Sequence, residues 1–197
     1  YFIPQMRYTY TYNSPATLLH PIRWETTVAQ SGNLTSVGML IAGKRWNDKD
    51  KKLFENPYSQ FIKVETDFTK TWTLNSVSKL VGHVNAGFIY AYGNSDWLPN
   101  SEMFYVGGAN SIRAFSVRGV GPGRFPGLDD KAISYLVQNG DIKFVANLEY
   151  RRQLFGNLQG AVFLDAGNIW NFDEDYDEEE DRMLFANTKF RLNHFFR

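Results

Sequence analysis

The sequence contains no cysteine among its 197 residues. This absence excludes a disulfide scaffold, a zinc–thiolate site and a cysteine nucleophile. Long hydrophobic runs are missing as well. A run such as that at 37–42, which includes a glycine, is far shorter than the roughly 20 residues that a spanning helix needs. The sequence therefore excludes transmembrane helices.

An excess of either charge sign is also missing, because 21 basic residues balance 21 acidic ones. Without a net basic field, nucleic acid is not an expected partner. Hydrophobic residues make up 43% of the chain, which excludes a disordered protein. No signal peptide opens the sequence, and Tyr1 stands at the edge of a predicted strand. We therefore expect a mature segment or a fragment.

Apolar and polar residues alternate with a period of two along most of the chain. In the segment 62–70, Ile62, Val64 and Phe68 alternate with charged residues such as Glu65 and Asp67. Because successive side chains of a strand point to opposite faces, this pattern predicts one charged face and one apolar face. The same alternation recurs in four further segments: 6–12, 22–28, 80–92 and 143–152.

Six strands are predicted, and the connections between them alternate in length. The strands lie near 2–12, 20–31, 58–72, 78–92, 140–154 and 158–169. Short connections fall at 13–19, 75–76 and 156–157, whereas long ones cover 32–57, 93–139 and the acidic stretch from Asn171. Short turns at one end and long loops at the other are typical of outer-membrane barrels.

Two all-β folds produce such alternation, a soluble sandwich and a transmembrane barrel. The predicted strands, about 10–14 residues long, exceed the five or six residues usual in globular sheets. Tyrosine and tryptophan cluster near strand ends, as in an interfacial girdle. These features favour an antiparallel transmembrane β-barrel. Six strands cannot close a barrel, since known single-chain barrels start at about eight, so we expect neighbouring strands on both sides.

The connection 93–139 contains the most specific motif of the chain. Gly107-Gly108 followed by Ile112-Arg113-Ala114-Phe115 resembles the Gly-Gly plus Val/Ile-Arg-Gly-Phe/Tyr motif of the outer-membrane assembly and secretion superfamily. This motif lies in the sixth extracellular loop of the BamA/TamA, or bacterial surface antigen, type. The segments 147–151 and 163–170 are similar to the two strands that follow that loop. Ala114 departs from the usual glycine, and the overall character resembles Bacteroidetes-type members.

The resemblance implies a 16-stranded barrel in the cell outer membrane. Residues 1–197 would form part of its C-terminal portion, with the periplasmic POTRA domains and the closing strands absent from the segment. The implied function is folding and insertion of other barrel proteins. The implied partners are unfolded outer-membrane clients, outer-membrane lipids and accessory lipoproteins, with no cofactor. A polypeptide secretion pore of the same superfamily, a passive porin and a surface antigen are the alternatives.

The odd or even position of a residue in its strand indicates the face on which its side chain lies. This rule identifies candidate partners for the arginine of the motif. Glu149 lies on the polar face of its strand, and Asp165 lies opposite the apolar side chains of its own strand. A carboxylate inside a partly occluded barrel needs a cation, because an unpaired buried charge is costly. We therefore expect the loop to fold into the lumen, Arg113 to dock on Asp165 with Glu149 nearby, and Phe115 to pack beside the guanidinium.

No other cluster of residues indicates a catalytic or metal site. The acidic run 173–181 lacks the glycine and spacing of a calcium loop and is interpreted as a surface loop. The lysines of 49–52 are interpreted in the same way. The three histidines are scattered, and no Gly-x-Ser-x-Gly elbow occurs. We expect neither a bound metal nor an enzyme.

Overall fold

Six long strands form a single antiparallel sheet in the computed structural model, which describes residues 2–15, 17–45, 48, 51–95, 98–123 and 138–172. Neighbouring strands in the sheet follow one another in their order along the chain. This order confirms the predicted all-β fold and the six strands. Their bounds are β1 Gln5–Asn13, β2 Ile22–Ser31, β5 Phe61–Asn75, β6 Ser78–Ala91, β7 Ile142–Phe155 and β8 Leu158–Trp170.

The period-two alternation divides the sheet into two faces of opposite character. The register aligns even-numbered residues across all six strands, as in the row that contains Val28, Val64, Phe88 and Ile142. We call the face of the even-numbered side chains the apolar face. Its residues Phe68 and Phe88 are 38% and 41% exposed, so they do not converge on a buried centre. The opposite face is covered in part by residues 98–123 and is called the loop face.

The connections separate by length at the two ends of the sheet. At the short-turn end, Ser76–Val77 joins β5 to β6, and Gly156-Asn157 joins β7 to β8. Gly156 has a φ of 53°, a conformation that glycine adopts without a Cβ penalty. At the opposite, long-loop end, residues 32–60 join β2 to β5 and residues 92–141 join β6 to β7.

The connection 32–60 contains structure that the alternation pattern did not predict. A helix, α1 Asn33–Ile41, follows β2, and a small hairpin pairs β3 Lys52–Leu53 with β4 Asn56–Pro57. Gly32, with a φ of 76°, separates β2 from the helix. The first turn of α1 has no acidic residue and its last turn no basic residue, so Gly43, which follows the helix with a φ of 87°, is its main boundary signal.

The core lies on the loop face, between the sheet and the loop segment 98–123. Its side chains come from both partners: Phe61, Ile89, Val145 and Ile169 from strands and Phe104, Val106 and Ile112 from the segment. Gly87 of β6 makes room for one of them. A Cβ at this position would stand 2.7 Å from Cζ of Phe104, so the aromatic ring packs directly on the strand backbone.

Several expectations remain outside what the structure describes. The acidic run 173–181, His194 and the residues after Asn187 lie outside the described residues. Within the described sheet, β1 and β8 each pair with one strand, and closure into a 16-stranded barrel stays a prediction. Among the described residues, no helix combines the length and apolarity needed to cross a membrane.

Candidate functional site

The motif loop folds tightly on itself before it reaches the sheet. Gly107 and Gly108 have φ values of 116° and 93°, which side chains rarely adopt. A Cβ on Gly107 would approach the carbonyl oxygen of Ser116 to 2.1 Å. The backbone N–H of Gly108 donates to the carbonyl of Phe115 at 3.0 Å and closes the turn. The paired glycines therefore allow the close chain crossing that aims Arg113 at the sheet.

Arg113 docks on Asp165 of β8 in a two-pronged ion pair. Its Nε and Nη2 donate to the two carboxylate oxygens at 2.9 and 2.7 Å, and its backbone N–H donates to Oδ2 at 3.0 Å. The planar guanidinium matches a carboxylate in this geometry, which a lysine ammonium cannot reproduce. The Asp165 side chain is only 5% exposed, so this pairing compensates a nearly buried charge.

Glu149 of β7 completes the arrangement from the neighbouring strand. Nη1 of Arg113 donates to its Oε2 at 2.6 Å, and Nε of Arg151 donates to its Oε1 at 2.6 Å. The Glu149 carboxylate therefore lies between two arginines, one from the loop and one from its own strand. The hydrogen bond with Asp165, reinforced by that with Glu149, raises the pKa of Arg113 above its already high value. We call Arg113, Glu149 and Asp165 the loop lock.

The aromatic ring beside the guanidinium differs from the expected one. Cζ of Arg113 lies 3.7 Å from the ring centroid of Phe163, which gives a close cation–π contact. Phe163 shares the loop face of β8 with Asp165, two residues further along. Phe115 was expected in this position, but among the described residues the ring over the guanidinium is that of Phe163. Phe115 was predicted because it belongs to the motif. The signal that could have identified Phe163 is its odd position on β8, which places it on the same face as Asp165.

Asn147 connects the lock to the loop backbone and was not singled out from the sequence. Its Nδ2 donates to the carbonyl of Ser111 at 2.7 Å and to Oδ1 of Asp165 at 2.9 Å. Its Oδ1 lies 2.7 Å from Nδ1 of His83 on β6. Asn147 and Asp165 are direct cross-strand partners, so the antiparallel register itself places them together.

The hydrogen bonding continues from the lock across the loop face to β5. His83 Nε2 lies 2.6 Å from Oδ2 of Asp67, and Lys143 Nζ donates to Oε1 of Glu65 at 2.6 Å. Asn85 donates to both carboxylates at 3.2 Å. We call this chain from Asn147 to Glu65 the polar relay. It joins three adjacent strands, β5, β6 and β7, beside a polar cavity of about 470 Å³ under the loop.

The groups of this site form a network that connects the loop to the sheet. Its groups are carboxylates, cations and amides engaged with one another across two strands and a loop. Within the described part of the chain, no three metal-ligating side chains gather. The arrangement holds residues 98–123 on the loop face. The structure thus brings Arg113, Glu149 and Asp165 together, with Ile112 buried beside them and Ala114 exposed.

Comparison with known protein families identifies the superfamily to which the sheet and its loop belong. The family model described as the Omp85 superfamily domain matches residues 27–190, which include the loop and all of β5 to β8. The chain belongs to the Omp85 superfamily. Members of this superfamily are outer-membrane proteins that assemble or secrete other proteins. Membership agrees with the exposed apolar face, since the lipid-facing wall of an outer-membrane barrel is apolar.

Proposed function

We propose that this Omp85 chain lies in the outer membrane, as part of a barrel that folds and inserts other barrel proteins. The observation that carries the proposal is the loop lock, in which Arg113 binds Asp165 and Glu149 at once. A loop held on the inner wall occupies space that a passing polypeptide or solute would need. This geometry argues against an open passive porin, whereas a secretion pore of the same superfamily shares the loop motif and is the alternative that the assays below distinguish.

The proposed mechanism uses rigidity and strand edges instead of covalent chemistry. The lock and the polar relay connect β5 to β8 on the loop face and brace that part of the wall. A braced wall allows strain to concentrate at the barrel seam, where exposed strand edges can template an incoming strand by β-augmentation. Perturbed lipid beside the barrel lowers the insertion barrier further. No nucleotide, cofactor or covalent intermediate takes part, and the protein is not an enzyme.

The proposed partners follow from the same mechanism. Clients are unfolded outer-membrane proteins whose alternating strands match the exposed edge, and lipids surround the apolar face. Accessory lipoproteins are proposed to bind the long connections. Nucleic acid is not a partner, in keeping with the balance of 21 basic and 21 acidic residues.

Two assays on the protein from its complete reading frame test the proposal. Proteoliposomes containing it are expected to accelerate the folding of a client barrel, and Arg113→Ala is expected to remove most of that acceleration. Arg151→Ala, which removes a 54% exposed arginine from the same Glu149, is the matched control and is expected to remain active. Steady large conductance in planar bilayers, without any acceleration of client folding, would identify a secretion pore or porin instead.

A further inference from the structure

Helix α1 is amphipathic, and its apolar side is exposed instead of facing the core. Leu34, Val37 and Ile41 are 67%, 47% and 86% exposed. Their spacing of three and four residues places them on one side of the helix. A helix on a water-soluble surface turns such a stripe toward the protein core. In this protein the apolar side of α1 faces outward, as the apolar face of the sheet does.

The polar side of α1 is held by buried hydrogen bonds that set its rotation. Oγ of Ser36 lies 2.7 Å from the hydroxyl of Tyr58 and 3.0 Å from Oε1 of Gln60, and all three residues are fully buried. Oδ1 of Asn33 accepts from Nε2 of Gln60 at 3.0 Å and from the hydroxyl of Tyr92 at 2.7 Å. Turning the apolar stripe inward would break these bonds and leave buried polar groups unpaired.

The exposed stripe is continuous with the apolar face of the sheet. Leu34 lines a groove of about 180 Å³ together with Met6 of β1 and Gln30 of β2. Met6 and Gln30 are cross-strand partners on the apolar face. The groove therefore leads from the wall that meets the acyl chains to the underside of the helix. The apolar face therefore meets α1 at this groove, where Met6, Pro4 and Leu34 lie beside the uncharged amides of Gln5, Gln30 and Asn33.

The charges around α1 fit a lipid headgroup layer. The helix itself has no charged residue, and the exposed Lys44 and Arg45 follow within four residues of its end. An interfacial helix buries its apolar side by roughly 5–10 Å and places cations at the level of the lipid phosphates. The apolar stripe and the two cations lie at the long-loop end, which in outer-membrane barrels faces outward.

We propose that α1 is an interfacial helix that lies in the outer leaflet, with Leu34, Val37 and Ile41 in contact with acyl chains and Lys44 and Arg45 near phosphate groups. The inference rests on the proposed outer-membrane location. It adds a lipid-binding segment outside the barrel wall, next to β1 and β2. The occupant is the hydrocarbon of the leaflet rather than a protein partner.

Site-specific labelling can test this placement, because the 197 residues contain no cysteine that would compete for the label. Single variants Val37→Cys and Ile41→Cys are labelled with an environment-sensitive fluorophore, in the full-length protein reconstituted into phosphatidylcholine and phosphatidylglycerol vesicles. We expect a blue-shifted emission and loss of emission with nitroxide lipids, stronger for a shallow nitroxide than for a deep one. Replacing Lys44 and Arg45 with glutamine is expected to reduce the loss in anionic vesicles and to leave it unchanged in neutral ones.

Two control positions separate failure of this inference from failure of the membrane location. Phe88→Cys on the apolar face reports insertion of the sheet, and Ser101→Cys in the loop reports water. Quenching at Phe88 together with a water-like signal at Val37 and Ile41 would overturn the interfacial helix alone. Protection of both helix positions from lipid and aqueous quenchers would also overturn it, in favour of a protein or a second copy. Absence of quenching at Phe88 would overturn the membrane location.

Discussion

Arg113→Ala is the substitution with the largest expected effect on the loop lock. It removes three side-chain hydrogen bonds of 2.9, 2.7 and 2.6 Å to two carboxylates. It also removes the cation from the face of Phe163. The variant therefore leaves Asp165, whose side chain is 5% exposed, without its counter-ion.

The size of the effect depends on the hydrogen bonds to Asp165 that remain after the substitution. Breaking a buried ion pair by removing one partner costs about 3–5 kcal/mol. The backbone N–H of residue 113 and Nδ2 of Asn147 still donate to Asp165, so we expect the lower end, about 3 kcal/mol. This corresponds to a roughly 150-fold change in the docking equilibrium of the loop.

Urea-induced unfolding in lipid vesicles, followed by tryptophan fluorescence, measures this loss. Arg151→Ala is the matched control, since its partner is also Glu149 but its own side chain is 54% exposed, and a loss below about 1 kcal/mol is expected. Equal losses for the two variants would refute the reasoning. So would a charge reversal, Arg113→Asp with Asp165→Arg, in which the combined variant is no more stable than either single one.

Three further changes probe the relay, the turn and the apolar face. Asn147→Leu keeps the volume but removes the bonds to the loop and the lock, so unfolding in urea should show a loss of about 2 kcal/mol; an unchanged midpoint would contradict this. Gly107→Ala should cost about 3 kcal/mol by the same measurement, because its Cβ meets a carbonyl oxygen. Gly43→Ala, also at positive φ but in open space, should cost about 1 kcal/mol, and equal costs would argue against the close crossing. Phe68→Arg should reduce the folding free energy in bilayers by about 2–4 kcal/mol, whereas Thr9→Arg on the loop face should be tolerated.

The strands and their faces were predictable from the sequence because the alternation is local and repeated. The alternation within each strand shows whether its odd or its even positions are apolar. The antiparallel register then aligns even residues with even residues across the sheet. The ion pair of Arg113 with Asp165 followed from the same parity together with the motif.

The remaining features depend on neighbours that parity alone does not identify. Asn147 contacts Ser111 because the loop packs against the sheet at that level of β7. The alternation pattern of a single strand does not show where a distant loop packs. Helix α1 spans nine residues, includes Gly38 and lacks charged caps, so its periodicity is too short to be distinguished from a loop. Its orientation comes from Tyr58 and Gln60, which lie more than 20 residues further along the chain.

The central claim is that the even-numbered side chains of the sheet meet lipid while the odd-numbered ones face the docked loop. A cysteine scan of β5 from Ile62 to Phe68, with nitroxide lipids as quenchers of an attached fluorophore, tests it most directly. The account predicts strong quenching at positions 62, 64, 66 and 68 and weak quenching at positions 63, 65 and 67. Quenching at the odd positions, or no alternation along the strand, would contradict it.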